Sequence, residues 1–146
     1  MNSLFLLSRL VMRIAFVFLV VVAVNLSSCS SNTQPAESVT DLLTKRTWRF
    51  DSATPDPAGF SQLFRGLTLQ YNRNGQVTLN FPGVGTATGT WRLQNNDRQI
   101  VINYSDPIAS ALNDTYDILE ITNSVIRVRE QTPTMGVAVE YRYVPA

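Results

Sequence analysis

"LTLQYNRNGQVTL", residues 67–79, is the stretch whose reading decides the fold. Leu67, Leu69 and Tyr71 alternate with Thr68 and Gln70. After the break "NRNG", Val77 and Leu79 alternate with Gln76 and Thr78. A period of two is that of a strand with one buried and one wet face. The break ends in Asn74-Gly75, a pair that favours the left-handed backbone of tight turns. The local reading is a β-hairpin with Gly75 as its turn residue.

The same alternation runs outward in both directions. Eight runs read as strands: Thr47–Asp51, Gly66–Tyr71, Gln76–Phe81, Thr88–Leu93, Gln99–Tyr104, Thr115–Ile121, Val125–Glu130 and Val137–Val144. Val77, Leu79 and Phe81 share a face, as do Ile100, Ile102 and Tyr104, and Val137, Val139, Tyr141 and Tyr143. Thr78, Asn103, Glu140 and Arg142 fall on the opposite faces. "NRNG", "QNNDR" and "TNS" make three tight connections. Ser52–Arg65, Pro82–Ala87, Ser105–Asp114 and Gln131–Gly136 make four longer ones that alternate with them. Pro55, Pro57, Pro82, Pro107 and Pro133 all fall in the longer set, where no ladder bond is lost.

In an up-and-down meander this alternation puts tight turns at one end and long loops at the other. Eight such strands suffice to close a barrel and remove both edges. A Greek-key sandwich needs connections that cross over an end, and three of these are too short. The expected fold is therefore all-β: an eight-stranded, up-and-down antiparallel barrel. "ESVTDLLTKR" adds a helix of about two turns before it, capped by Ser38 or Thr40.

The first part of the chain is a leader. Arg9 and Arg13 precede an uninterrupted apolar run from Ile14 to Val24, and small residues follow it. That is the order of a secretory signal. Leu26-Ser27-Ser28-Cys29 resembles the bacterial lipobox, which implies cleavage before Cys29 and acylation of its thiol and new amino group. Cys29 is the one cysteine in the sequence, so it has no internal disulfide partner. Several acyl chains anchor stably where one is reversible. The expected organisation is a signal peptide at 1–28, a lipidated tether at 29–38 and the barrel domain at 39–146. A small polar coil like Ser30–Ser38 spans roughly 15 to 18 Å. The first strand then runs from the tether end towards the long loops, which should face away from the membrane.

Four segments, "KRTWRF" (45–50), "LTLQYNRNGQVTL" (67–79), "GTWRLQNNDRQIVI" (89–102) and "YDILEITNSVIRV" (116–128), resemble the lipocalin-like domain of bacterial lipoproteins. Trp48 takes that family's first tryptophan position, Asn74-Gly75 its turn, and Gly89, Thr90, Trp91 and Leu93 its second motif. Ile118, Leu119, Ile121, Thr122 and Ile126 match the third. Position 46, often glycine in the family, is Arg46 here. The resemblance implies a barrel that holds a small apolar molecule.

Two of the long loops carry apolar residues of their own. In "DPAGFSQLF", Asp56 and Pro57 offer a helix start that would put Phe60, Leu63 and Phe64 on one face. "DPIASALND" repeats the device with Asp106, Pro107, Ile108 and Leu112. These are either apolar lids at a mouth or turns that merely cover the barrel end. Phe60, Leu63, Phe64, Leu69, Tyr71, Phe81, Tyr104 and Tyr141 form the candidate ligand-binding set. Trp48, Gly75, Gly89 and Trp91 are the structural positions. The barrel can be filled by side chains or hold a small ligand, and both readings stand. The five tyrosines can present hydroxyls to a ligand or sit at strand ends with the hydroxyl in water. Glu120 points inward if Tyr116 and Ile118 do, and outward if Leu119 and Ile121 face the core; both faces of that strand are apolar. Arg127 and Arg129 read as outer-face partners of Glu140.

Histidine is absent, and no calcium-loop or nucleophile-elbow pattern occurs. Asp114 and Asp117 alternate to opposite faces. No catalytic residue, metal or cofactor is expected. Without the leader's arginines the chain carries ten basic and eleven acidic residues, which argues against nucleic acid. The expectation is a lipid-anchored envelope protein that binds a small, partly apolar ligand, with a protein partner at the long loops as the alternative. Ser30 is not the acidic residue that marks inner-membrane retention in some bacteria, so the outer membrane, facing the periplasm, is the expected location.

Overall fold

The computed structural model describes residues 36–56, 58–133 and 136–146. The leader, Cys29 and most of the tether lie outside them. Glu37–Ala146 forms one compact unit. A short helix, α1 (Val39–Thr44), is followed by β1 (Thr47–Thr54), α2 (Phe60–Leu63), β2 (Thr68–Tyr71), β3 (Gln76–Phe81), β4 (Gly85–Gln94) and β5 (Gln99–Tyr104). A 3₁₀ turn, η1 (Ala109–Leu112), then precedes β6 (Asp114–Ile121), β7 (Ile126–Glu130) and β8 (Glu140–Pro145). Each strand pairs antiparallel with the next, and β8 pairs back onto β1, closing the barrel. The all-β, up-and-down barrel with a short N-terminal helix is the fold expected from the sequence.

The tight end forms as its residues require. In the β2–β3 turn the Gly75 N–H donates to the Asn72 carbonyl at 3.0 Å, with Gly75 in the left-handed region at φ 83°. Trp91 pins this turn to β4: its backbone N–H donates to the Gly75 carbonyl and its indole Nε1–H to the Asn72 carbonyl, at 2.8 and 2.9 Å. In the β4–β5 turn Asn95, Asn96 and Asp97 are all left-handed, at φ 54°, 53° and 60°. Among L-residues that carry a side chain, Asn and Asp tolerate this conformation best.

Helix α1 plugs the same end. Ser38 caps it, accepting from the Asp41 N–H while the Asp41 carboxylate accepts from the Ser38 N–H, the reciprocal capping box. The helix packs against β2 and β6, strands on opposite sides of the ring, so it lies across the opening. Leu43 points into the barrel and is 2% exposed; its carbonyl accepts the Trp48 indole N–H at 3.0 Å, and Trp48 is wholly buried. The Arg46 guanidinium, at the position where the resembled family often has glycine, lies over the Trp48 ring, 5.8 Å from its centre. An ion pair from Arg73 to Asp41 and a hydrogen bond from the Asn123 amide to Glu37 link the helix and its start to the neighbouring tight turns, while Lys45 pairs with Glu37 across the helix's own ends.

The structure corrects several boundaries. The β3–β4 connection is the tight turn Pro82–Val84, not a loop to Ala87, because Gly85, Thr86 and Ala87 continue the ladder opposite Phe81, Asn80 and Leu79. The open end thus has three long connections and one short. β8 starts at Glu140, so Val137 lies in the loop before it and is exposed, while Val139 is buried and Val137 is not its inward neighbour. β1 runs on to Thr54 through an irregularity between Phe50 and Ser52, after which Ala53 faces inward.

A bulge also settles Glu120. Register shifts between Ile118 and Glu120: Ile118 pairs with Val128, Leu119 is the extra residue, Glu120 faces Arg127 and Ile121 faces Ile126. One inserted residue switches the parity of a strand. Tyr116, Ile118 and Ile121 therefore all line the interior, Leu119 is exposed, and Glu120 lies outside. There it pairs with Arg127, which also donates to Glu140 at 2.6 Å.

Gly89 sits in β4 directly opposite Tyr104. A Cβ at this position would collide with the Asn103 carbonyl and lie 2.7 Å from the Tyr104 ring. Gly89→Ala is expected to destabilise the domain by about 1–3 kcal/mol, the usual cost of overpacking, read as a lower midpoint in urea unfolding with an unchanged slope.

Candidate functional site

The open end is built by the β1–β2, β3–β4, β5–β6 and β7–β8 connections. In the first, α2 starts after the left-handed Gly59, and the Asp56 carboxylate accepts from the Ser61 N–H at 3.2 Å, one turn later than the sequence suggested; Pro57 lies outside the described residues. Phe60 and Phe64 turn towards the barrel and stack, ring centres 5.3 Å apart. Leu63 points the other way and is 63% exposed. These three residues therefore do not form one exposed face. Phe64 continues into edge-to-face contacts with Phe50 at 5.6 Å and Phe81 at 5.7 Å, and Phe60 approaches Tyr141 at 6.4 Å. In the β5–β6 connection the Asp106 carboxylate accepts from the N–H groups of Ile108 and Ala109, starting η1. Ala109 is buried beneath it and Ile108 is exposed.

Inside the barrel the side chains leave a void of about 30 Å³, room for a single water molecule. Leu43 closes it below; Leu69, Tyr71, Tyr104 and Tyr143 are among its walls. Of the two readings open from the sequence, the barrel shaft is the filled one. Above it lies a second, far larger space of about 630 Å³, open between the loops. Its walls are Phe60, Phe64, Phe81 and Leu112, its outer lip Leu63, Val84 and Ile108. Four side chains, Phe64, Leu112, Tyr116 and Tyr141, line both spaces and form the partition between them.

The residues singled out from the sequence thus divide in two. Phe60, Leu63, Phe64, Phe81 and Tyr141 line the mouth; Leu69, Tyr71 and Tyr104 lie deeper, around the small void. Trp48, Gly75, Gly89 and Trp91 touch neither space and serve the frame. Glu130, which the sequence reading counted only as a strand end, proves to be the one charged side chain among the described residues that is buried, at 6% exposure. It lies on the inward face of β7 with Ile126 and Val128. Its carboxylate accepts from the Val139 N–H at 3.0 Å and from the Tyr141 hydroxyl at 3.3 Å. Asp114, on the same wall, accepts from the N–H groups of Gln131 and Thr132 at 3.0 and 3.1 Å. No group of three or more potential ligands that could hold a metal ion occurs among the described residues.

The tyrosines do not sit with their hydroxyls in water, the second of the two sequence expectations. Tyr71, Tyr104, Tyr116 and Tyr141 are buried and Tyr143 half-buried. Two hydroxyls go to the protein itself: Tyr116 donates to the Leu112 carbonyl at 2.8 Å and Tyr141 to Glu130. Burial pushes the hydroxyl pKa up in all five, and for Tyr141 the Glu130 carboxylate adds to it.

No family model matches the chain, and no curated protein is similar to it in sequence. Solved structures are similar in fold. A DUF4847-family protein from Bacteroides vulgatus superposes with a TM-score of 0.54 at 17% identity, over 73% of this chain and 96% of that one. A lipocalin-like protein from Bacteroides uniformis gives 0.51 at 12% identity, over 72% and 99%. Japanin from Rhipicephalus appendiculatus, solved bound to cholesterol, gives 0.52 at 12% identity, over 75% and 79%. The chain has the lipocalin-like eight-stranded barrel fold.

The tyrosines set an alkaline limit. Each raised pKa means that above about pH 10, the ordinary tyrosine value, the unfolded chain releases protons that the folded one retains. Stability is expected to be unaffected by these groups below that pH and to fall as pH rises past it. Tyrosinate absorbance should then appear together with loss of near-ultraviolet dichroism; gradual ionisation of a still-folded protein would contradict the burial.

Proposed function

We propose that this chain is a lipid-anchored envelope lipoprotein whose barrel binds a small, partly apolar molecule at its open end. The observation that carries the binding reading is the 630 Å³ mouth pocket, walled by Phe60, Phe64, Phe81 and Leu112. Ligand sites are typically clefts of about 300–1,000 Å³ with apolar walls and a few placed polar groups. Glu130, Tyr141 and Asp114 are those polar groups here. Japanin holds cholesterol on a barrel of the same fold, which agrees with an apolar occupant. The reading is of a binding protein and not an enzyme. Anchoring rests on Cys29, placed after an apolar run and the Leu26-Ser27-Ser28 triplet, and the outer membrane, facing the periplasm, is the proposed location.

A protein partner at the loops is the second reading. One exposed apolar residue stands on each open-end connection: Leu63, Val84, Ile108 and Val137, between 51% and 65% exposed. Such a ring suits docking as well as ligand entry.

Two experiments test these readings. A native mass spectrum of the soluble segment from Ser30, purified from its own host's envelope, is expected to show a discrete added mass below that of a polypeptide, lost on denaturation. A bare monomer would sink ligand binding, and an added polypeptide mass would establish the docking reading. Separately, Cys29→Ser in the full chain is expected to leave an unprocessed precursor about a leader heavier, without acyl chains; normal processing of that variant would sink the lipid anchor.

A further inference from the structure

The charge of the mouth carries the reading one step further. Among the described residues, the pocket's lining contains two carboxylates, Glu130 and Asp114, and no lysine or arginine. Pro57, Thr134 and Met135, the residues of these connections outside the described set, carry no charge. Arg65, the basic residue of the long first connection, belongs to a separate depression on the outside of the barrel with Arg49, Asp51 and Asp56. Three of the lining side chains that could donate are already engaged, and the Thr132 hydroxyl is a further, neutral one. The Tyr116 hydroxyl donates to Leu112, the Tyr141 hydroxyl to Glu130, and the Asn113 amide to the Tyr104 carbonyl at 2.9 Å.

Acceptor capacity, by contrast, is in surplus. A carboxylate offers about four lone-pair positions, and Glu130 spends one on Val139 and one on Tyr141. Its remaining capacity sits in the wall of the pocket, beneath the aromatic rings and screened from water. A hydrogen bond from a cationic donor is strongest in such a place, because the surroundings are apolar and the acceptor is charged. An anionic head group there would meet two carboxylates and, among the described residues, no cationic donor.

From this we infer that the mouth pocket takes an organic ammonium compound: a compact apolar body held by Phe60, Phe64 and Phe81, with an amine head that donates to Glu130. Carboxylate-headed lipids are turned away. This rests on the reading of the mouth as a small-molecule site. The apolar body supplies affinity and Glu130 supplies the choice of head group. Glu130 is held on both oxygens, so the acceptor is in position before the ligand arrives.

The test uses matched probes with three heads, a primary amine, an alcohol and a carboxylate, each carried on an adamantyl cage and on a naphthyl ring. The protein is the segment from Ser30, which contains the whole closed barrel, its helix plug and its core. Titration calorimetry at neutral pH is expected to show the amine bound about tenfold or more tighter than the carboxylate on the same body, the effect of a single charge-assisted contact. Glu130→Gln keeps the shape and an acceptor for the Val139 N–H, and should cut that preference severalfold, leaving the part due to Asp114, with the alcohol's affinity within about twofold. Carboxylates bound as well as amines would overturn the inference and leave the mouth as a binding site. A preference undiminished in Glu130→Gln would likewise overturn it. If no probe of either body binds, the small-molecule reading of the mouth itself falls.

Discussion

Everything at the open end depends on the ladder between β8 and β1. It is the longest-range pairing in the chain, joining Trp48–Thr54 to Glu140–Pro145, and it turns a meander into a ring. Closure removes the two exposed edges that an eight-stranded open sheet would carry. It also brings Tyr141 of β8 beside Phe60, which follows β1. Without that ladder the walls of the mouth would belong to opposite margins of a sheet.

An eight-stranded ring encloses only enough space for its own inward side chains or one small ligand. Here the side chains take almost all of it. Leu43 enters from the helix below, tyrosine, leucine and isoleucine side chains occupy the shaft, and the Phe64, Leu112, Tyr116 and Tyr141 partition seals it above. The consequence is functional. Along the barrel axis, space for another molecule is left where the loops rise past the last strand residues, so the proposed site is a bowl on a filled pedestal. Its position follows from packing, and its chemistry from the few polar groups that could not be moved out of it. Glu130 is the chief of these, tolerated in an apolar wall because a backbone N–H and a hydroxyl partner it.

How much was legible beforehand varies from element to element. The Leu67–Leu79 hairpin was read correctly because its turn chemistry and alternation are both local. The β3–β4 turn was read as a loop because Gly85-Thr86-Ala87 has no apolar alternation, yet the ladder with β3 carries it as strand. Val137 went the other way: its pattern is that of a strand, and the loop geometry leaves it outside. Glu130 was within reach. In Ile126-Arg127-Val128-Arg129-Glu130 the period of two places it with the inward Ile126 and Val128, but a terminal carboxylate reads as surface unless the strand's last turn is known to be covered.

By itself, then, the sequence determined the class of fold, the number and direction of the strands, the tight end and the presence of a short helix before them, since these rest on period-two patterning and on residues with fixed turn and cap preferences. Only the tertiary structure decided three things. It located the bulge at Leu119, which resolves a strand apolar on both faces; it showed that the shaft is filled; and it put Glu130 and Asp114 on one wall of a pocket. The physical reason is the same in each case. Parity shifts, void volume and the partners of a buried charge are properties of contacts between strands distant in sequence, and no local pattern encodes them.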